Sequence, residues 1–119
     1  MDKRVEAFLS RSRADSLFLS ILTLGELRKG VALKRKTDPT TADALGAWVA
    51  ELEETFADRI VNIDAAVAKL WGELSSDRSR PVIDTLIGAT ALVHGMVLVT
   101  RNTKDLAGLD VALLDPFAE

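Results

Sequence analysis

The sequence contains no cysteine and a single histidine, and these two shortages remove whole classes of chemistry before any motif is considered. Without cysteine there is no thiol nucleophile, no disulfide and no thiolate zinc site, a composition compatible with a reducing compartment. The one histidine, His94, stands just before Gly95, where the end of a helix is expected. There it suits the helix dipole better than the work of a catalytic base. No apolar run reaches the about 20 residues a membrane span needs, and the start has no signal-peptide core, so a cytoplasmic protein with no membrane partner is expected. Basic excess is also missing. Fifteen Lys and Arg against 18 Asp and Glu give a net charge of -3, which argues against a broad basic face for duplex DNA while leaving room for local basic clusters. There is no internal repeat and no low-complexity tract.

What is present suffices for a core. At 119 residues and 48% hydrophobic content, the chain reads as one domain, residues 1–119. The opening stretch predicts an amphipathic helix with Val5, Phe8 and Leu9 on one face, ending near Asp15. Ser16 to Ser20 reads as a short buried strand, after which Thr23 opens a helix through Leu33, closed by the basic tail Lys34-Arg35-Lys36. Thr37-Asp38-Pro39-Thr40 breaks the chain. A second helix of the pair then runs from about Thr41 to Phe56 with Leu45, Trp48, Val49 and Leu52 turned inward. Arg59 to Ile63 reads as another short strand, and Asp64 caps a helix whose core stripe is Val67, Leu70, Trp71 and Leu74. Both tryptophans lie on apolar stripes and read as core rather than as stacking platforms. Pro81 and Gly95 suit the start and the end of the next helix. Met96 to Thr100 is a continuous apolar strand of the parallel-sheet kind, and Val111 to Leu114 a last, edge strand. Short strands alternating with helices predict an α/β fold, layered α/β/α around a short, mostly parallel sheet.

Function points to the carboxyl ends of those strands, where parallel sheets open their crevices. Asp84 lies in the first turn of a helix of almost wholly apolar or small residues, Val82 to His94. The reading predicts a largely buried helix in which an idle carboxylate is expensive. Glu26 follows the first of these strands by about a helical turn, and Asn102 and Asp105 follow the strand ending at Thr100. Converging carboxylates make an oxygen-rich site suited to Mg²⁺ or Mn²⁺. Each also has a plainer explanation. Glu26 completes a capping box with Thr23, Asn102 and Asp105 have the spacing of a cap and its third helical residue, and Asp84 is a first-turn acid facing a helix dipole. Arg28, with Lys29, Lys34, Arg35 and Lys36, reads as a solvated helix end, with contact to RNA phosphate the alternative.

Three segments together resemble the PIN-domain toxins of the VapC/FitB-like ribonuclease group: Ser20-Ile21-Leu22-Thr23-Leu24-Gly25-Glu26-Leu27-Arg28-Lys29-Gly30, Pro81-Val82-Ile83-Asp84-Thr85-Leu86-Ile87-Gly88-Ala89-Thr90-Ala91, and Leu98-Val99-Thr100-Arg101-Asn102-Thr103-Lys104-Asp105-Leu106. They occur in family order, and the resemblance runs from about Asp2 to Phe117. It implies a PIN-like fold and a Mg²⁺- or Mn²⁺-dependent endoribonuclease toxin of a type II toxin–antitoxin system. The partners it implies are an RNA substrate and a cognate antitoxin, with a homodimer or higher oligomer expected. Carried over by position, Glu26, Asp84 and Asp105 are the implied metal and catalytic acids, Asn102 joins them at the final acidic position, and Thr100 and Arg28 position substrate. One departure bears on activity. Family members begin with a strand ending in a Leu-Asp-Thr-Asn-like motif whose aspartate ligates the metal, and no such segment precedes the first helix here. Neither Asp2 nor Asp15 stands in the right place to replace it. The resemblance therefore leaves a second reading, a catalytically inactive PIN-like chain that binds or oligomerises. A phospho-receiver domain is disfavoured because no aspartate ends a strand in the phosphoacceptor manner.

Overall fold

A computed structural model describes residues 7, 17–76, 79–100, 106, 108, 109 and 111–114. The elements, in order, are β1 (Leu19–Ser20), α1 (Ile21–Arg35), α2 (Pro39–Thr55), β2 (Ile60–Val61), α3 (Ala65–Ser75), α4 (Val82–His94), β3 (Leu98–Val99) and β4 (Leu113–Leu114). The expected opening helix lies outside the described residues, except for Ala7, which is helical. Both strand pairs are parallel, as the apolar runs predicted: Leu19 aligns with Ile60 and Leu98 with Leu113. The chain divides into two compact units, Phe18–Asn62 and a second formed by Met1–Leu17 with Ile63–Glu119. Each unit holds one of the two-stranded sheets.

In the unit Phe18–Asn62, β1 feeds directly into α1. Ser20 is at once the last strand residue and the helix N-cap, its Oγ accepting the Leu22 amide N–H at 3.1 Å. Helix α1 therefore begins at Ile21, and Thr23 is its third residue rather than its cap. That overturns the capping box: a glutamate can reach back to a capping residue only from the third helical position, and Glu26 is the sixth. Helix α2 begins at Pro39, two residues before the predicted start, because proline's fixed φ and missing N–H suit a first turn. Asp38 caps it, accepting the Thr41 amide at 3.2 Å and the Thr41 hydroxyl at 2.6 Å.

The two helices form an antiparallel hairpin, stitched by Arg28 to Glu53 at 3.2 Å and Arg35 to Asp43 at 2.7 Å. These pairs are exposed, so each contributes only about 0–1 kcal/mol. Burial does more, and it keeps only part of the predicted inward face of α2: Val49 is buried and Leu52 half-buried, whereas Leu45 and Trp48 are turned out. Ala42 and Val49 are buried, and between them a Cβ on Gly46 would stand 3.5 Å from Val31 Cγ1 of α1. Leu45 and Trp48 are instead 40% and 43% exposed. Helices this close admit only small side chains along their line of contact, so the bulky residues of the neighbouring row are turned outward.

In the second unit, Asp64 caps α3 as predicted, its carboxylate accepting the Val67 amide at 3.0 Å. Val67 is fully buried, with Leu70, Trp71 and Leu74 half-buried beside it. The carbonyl of Leu74, in the last turn of α3, accepts from Arg80 Nε at 2.9 Å, which satisfies one of the orphan acceptors of the helix end. Helix α4 ends at Gly95 in the left-handed conformation (φ 63, ψ 34), as its position suggested. The core of this unit is Ala91, Leu106, Leu109 and Val111, ringed by Leu74, Leu92, Met96, Leu98 and Leu113.

Candidate functional site

Asp84 is the third residue of α4 and the only acid in its first turn. The residue before the helix, Pro81, supplies no side-chain cap, but its carbonyl accepts both the Thr85 amide at 3.0 Å and the Thr85 hydroxyl at 2.6 Å. This double bond to a buried threonine fixes the first turn, and with it the backbone that carries Asp84. The helix is less buried than its composition predicted. Thr85, Gly88, Ala89, Thr90 and Ala91 are buried, whereas Val82 and Ile83 are exposed and Asp84 is half-buried. Small residues face inward because the neighbouring chain lies close, and the large apolar ones of the first turn face out. A half-buried carboxylate at a helix N-terminus, with part of its surface hydrated, costs far less than a fully buried one.

After Gly95 the chain turns back. From Asp84 to His94 the helix rises about 15 Å, and from Met96 to Thr100 an extended chain spans about 13 Å. Met96 and Leu98 pack on the same core as Ala91 and Leu92. Thr100, at the carboxyl end of β3, is held by its amide N–H, which donates to the Leu114 carbonyl at 2.9 Å. Beyond it, Asn102 and Asp105 lie outside the described residues. The chain is described again at Leu106, which is buried together with Leu109 against α4. A Cβ on Gly88 would stand 2.9 Å from Leu109 Cδ1 and 3.4 Å from Leu106 Cδ2. Gly88 is one helical turn from Asp84 on the same face. Sequence reading passed over this glycine. Its signal was available as a glycine in the middle of an otherwise regular helix, which calls for a packing reason.

The other named residues belong to the unit Phe18–Asn62. Glu26 is exposed in the second turn of α1. Arg28 is exposed and engaged with Glu53, a structural contact that stands beside the substrate-positioning role expected of it. His94 is exposed in the last turn of α4, about 15 Å along the helix from Asp84. Trp71 is half-buried, and its Nε1 is buried without a hydrogen-bond partner among the described residues. Among the described residues no three acidic or histidine side chains come together as a metal-ligand group, and none of the helices is long and apolar enough to cross a membrane. The candidate donors nevertheless fit a hard divalent cation in kind: they are carboxylates, in a chain with no thiolate and with its one imidazole at the far end of α4.

Comparison with known proteins gives this arrangement a family. The PIN domain family matches residues 2–111, a span that takes in both units. The chain is 31% identical over 123 residues to the toxin FitB of Neisseria gonorrhoeae, covering 98% of this chain and 86% of that protein. It is likewise 31% identical over 121 residues to the VapC ribonuclease Y4jK of Sinorhizobium fredii, covering 92% and 83%. Among solved structures, FitAcB from Neisseria gonorrhoeae superposes with a TM-score of 0.89 at 29% identity, covering 99% of this chain and 88% of that one. A toxin–antitoxin complex from Klebsiella pneumoniae gives 0.68 at 28% identity, covering 98% and 86%. With a family match along nearly its whole length and relatives of the same group aligned over both units, the chain belongs to the PIN-domain family, as a VapC/FitB-like toxin with the PIN fold.

Proposed function

We propose that the chain is a metal-dependent endoribonuclease, the toxin of a type II toxin–antitoxin pair, with Asp84 as its central metal ligand. The observation that carries this reading is the placement of Asp84. It is the one acid in the first turn of a helix of mostly apolar and small residues, in a turn fixed by the bonds from Thr85 to the Pro81 carbonyl. Names of relatives, a toxin and a ribonuclease, supply the reaction class. The complex from Klebsiella pneumoniae supplies the kind of partner, a cognate antitoxin.

In this reading Asp84, Glu26 and Asp105, the acids the family pattern picks out, are the residues that would hold Mg²⁺ or Mn²⁺. Bound there, the ion would acidify a water molecule and neutralise charge on the scissile phosphate. The residues of the chain do the remainder. Asp84 is held by a first turn locked through Thr85 and Pro81, so its carboxylate is preorganised rather than recruited. Glu26 or Asp105 accepts the proton of the attacking water, and Thr100 and Asn102 orient the phosphate by hydrogen bonding.

The test is RNA cleavage by purified chain over a series of Mg²⁺ and Mn²⁺ concentrations, with Asp84→Asn alongside. The substitution keeps the shape and removes the charge, so the expected outcome is a loss of about 100-fold or more in kcat with an unchanged melting temperature. If the unsubstituted chain cleaves no RNA at any metal concentration, the enzymatic reading fails and the chain is a binding member of its family.

A further inference from the structure

We infer that Lys29 and Lys36, on the outward face of α1, are the side chains that hold the phosphates of an RNA strand, with Glu26 at the head of their row. This rests on the RNA substrate of the proposed function. The cations of α1 divide by helical phase. Arg28 and Arg35, seven residues apart, are turned to α2 and bonded to Glu53 and Asp43. Lys29 and Lys36 repeat that spacing about 100° round the helix. They belong to the row Glu26, Lys29, Leu33, Lys36, whose intervals of three, four and three residues keep it on one face. Lys36 continues the row because the C-cap retains helical backbone (φ -69, ψ -26). All four side chains are exposed, Leu33 at 53%. Glu26 precedes Lys29 by the spacing of a helix ion pair, yet among the described residues neither lysine has a carboxylate partner. The helix dipole accounts for a cation in the last turn, as at Lys36, but not for Lys29 in the middle of the helix. Two such ammonium groups about 10 Å apart along the axis, on a chain of net charge -3, form a local anion track rather than a broad basic face. The polyanion that the proposed reaction brings to it is RNA. The substrate-positioning role expected of Arg28 passes to the lysine beside it, since the Arg28 guanidinium is neutralised by Glu53.

The test measures binding of a short fluorescein-labelled single-stranded RNA of mixed sequence by anisotropy, over a series of NaCl concentrations, with Ca²⁺ in place of Mg²⁺ to keep the strand intact. Lys29→Gln, Lys36→Gln and the two combined are compared with the unsubstituted chain and with Lys34→Gln, a lysine of the same helix outside the row. Each single variant in the row is expected to take about 0.7 off the slope of log affinity against log salt, the double variant about 1.4, and Lys34→Gln nothing. Melting temperatures should stay together, because the exchanged side chains are exposed and bear no ion pair. In cleavage with Mg²⁺ the double variant is expected to raise KM for RNA and keep kcat, which separates a hold on the strand from a part in the chemistry. An unchanged slope in the double variant overturns the inference and leaves the row to an acidic protein surface. A Lys34→Gln variant that loses as much slope overturns it too, because net charge alone then explains the effect. The proposed function fails separately. A chain that binds RNA with the expected slopes but cleaves none in Mg²⁺ or Mn²⁺ keeps the lysine row and loses the enzyme, whereas a chain that cleaves RNA with slopes indifferent to Lys29 and Lys36 keeps the enzyme and loses the row. A chain that neither binds nor cleaves RNA overturns both.

Discussion

Asp38 shows how much local order one side chain can set at the residue scale. Its carboxylate takes two hydrogen bonds from Thr41, and the side-chain bond, followed by the backbone bond, holds its pKa below the ordinary value of 3.8. A depressed carboxylate pKa gives stability that is present above the unfolded value and is lost as pH falls through the folded one. The contribution of Asp38 to α2 is therefore complete at neutral pH and begins to be lost only below about pH 4, as the pH falls toward the lowered folded value. Asp38→Ala should lower the melting temperature at pH 7, and the gap between variant and parent should narrow as the pH is taken below 4. Melts of both proteins across that range test this. A gap that stays constant with pH would mean that Pro39, rather than the cap, sets the start of α2. The caps were the most legible residues in the sequence: Asp64 and Gly95 stand where their chemistry places them. Ser20 was missed because it serves a strand and a helix at once, and the strand reading absorbed it.

At the scale of the element, the hairpin of α1 and α2 shows where periodicity stops being informative. Spacing alone reveals that α2 has an apolar side with Leu45, Trp48, Val49 and Leu52 on it, but not that its line of contact runs through the row Ala42, Gly46 and Val49 rather than through Leu45 and Trp48. Which row faces α1 depends on the distance between helices, and no single helix encodes that distance. Larger residues look like the better core, yet Val49 is 2% exposed and Trp48 43%. Gly46 gives a prediction whose sign is decided by the same distance. A Cβ there would meet Val31 at 3.5 Å, an ordinary contact, and alanine is favoured over glycine inside a helix by about 0.8–1.0 kcal/mol. Gly46→Ala should therefore raise the melting temperature by a few degrees, on the order of 4 °C. Gly46→Leu should lower it, because overpacking costs about 1–3 kcal/mol. Thermal melts of the pair check the geometry of the hairpin. If leucine is tolerated as well as alanine, the helices are not held at this separation. Helix α4 repeats the point: the first-turn position of Asp84 could be read from Pro81 and the apolar run, but its half-exposed state could not, because the inward row consists of the small residues Gly88 and Ala89.

For the whole molecule the relevant quantity is charge. On the proposed function, a protein with net charge -3 that acts on a polyanion would work against its own field, meeting RNA through few phosphates and relying on a bound cation near the scissile one. Two of the arginines that would serve a basic groove are already committed, Arg28 to Glu53 and Arg35 to Asp43. Each phosphate contact on single-stranded nucleic acid adds about 0.7 to the slope of log affinity against log salt. With one or two such contacts, KM for RNA at saturating Mg²⁺ should rise with a log–log slope of about 1 between low and physiological monovalent salt. A slope of about 4 or more would reveal a broad basic RNA face and contradict this picture. Arg28→Ala distinguishes the two uses of that side chain in the same experiment. If Arg28 only bridges the hairpin, the slope is unchanged, while the loss of one exposed ion pair lowers stability by less than about 1 kcal/mol. If it touches a phosphate, the slope falls by about 0.7 and KM rises at every salt concentration. The committed guanidinium and the exposed partner Glu53 favour the first result, which would leave the local field at Asp84, rather than a basic surface, as the principal device by which an acidic chain handles RNA.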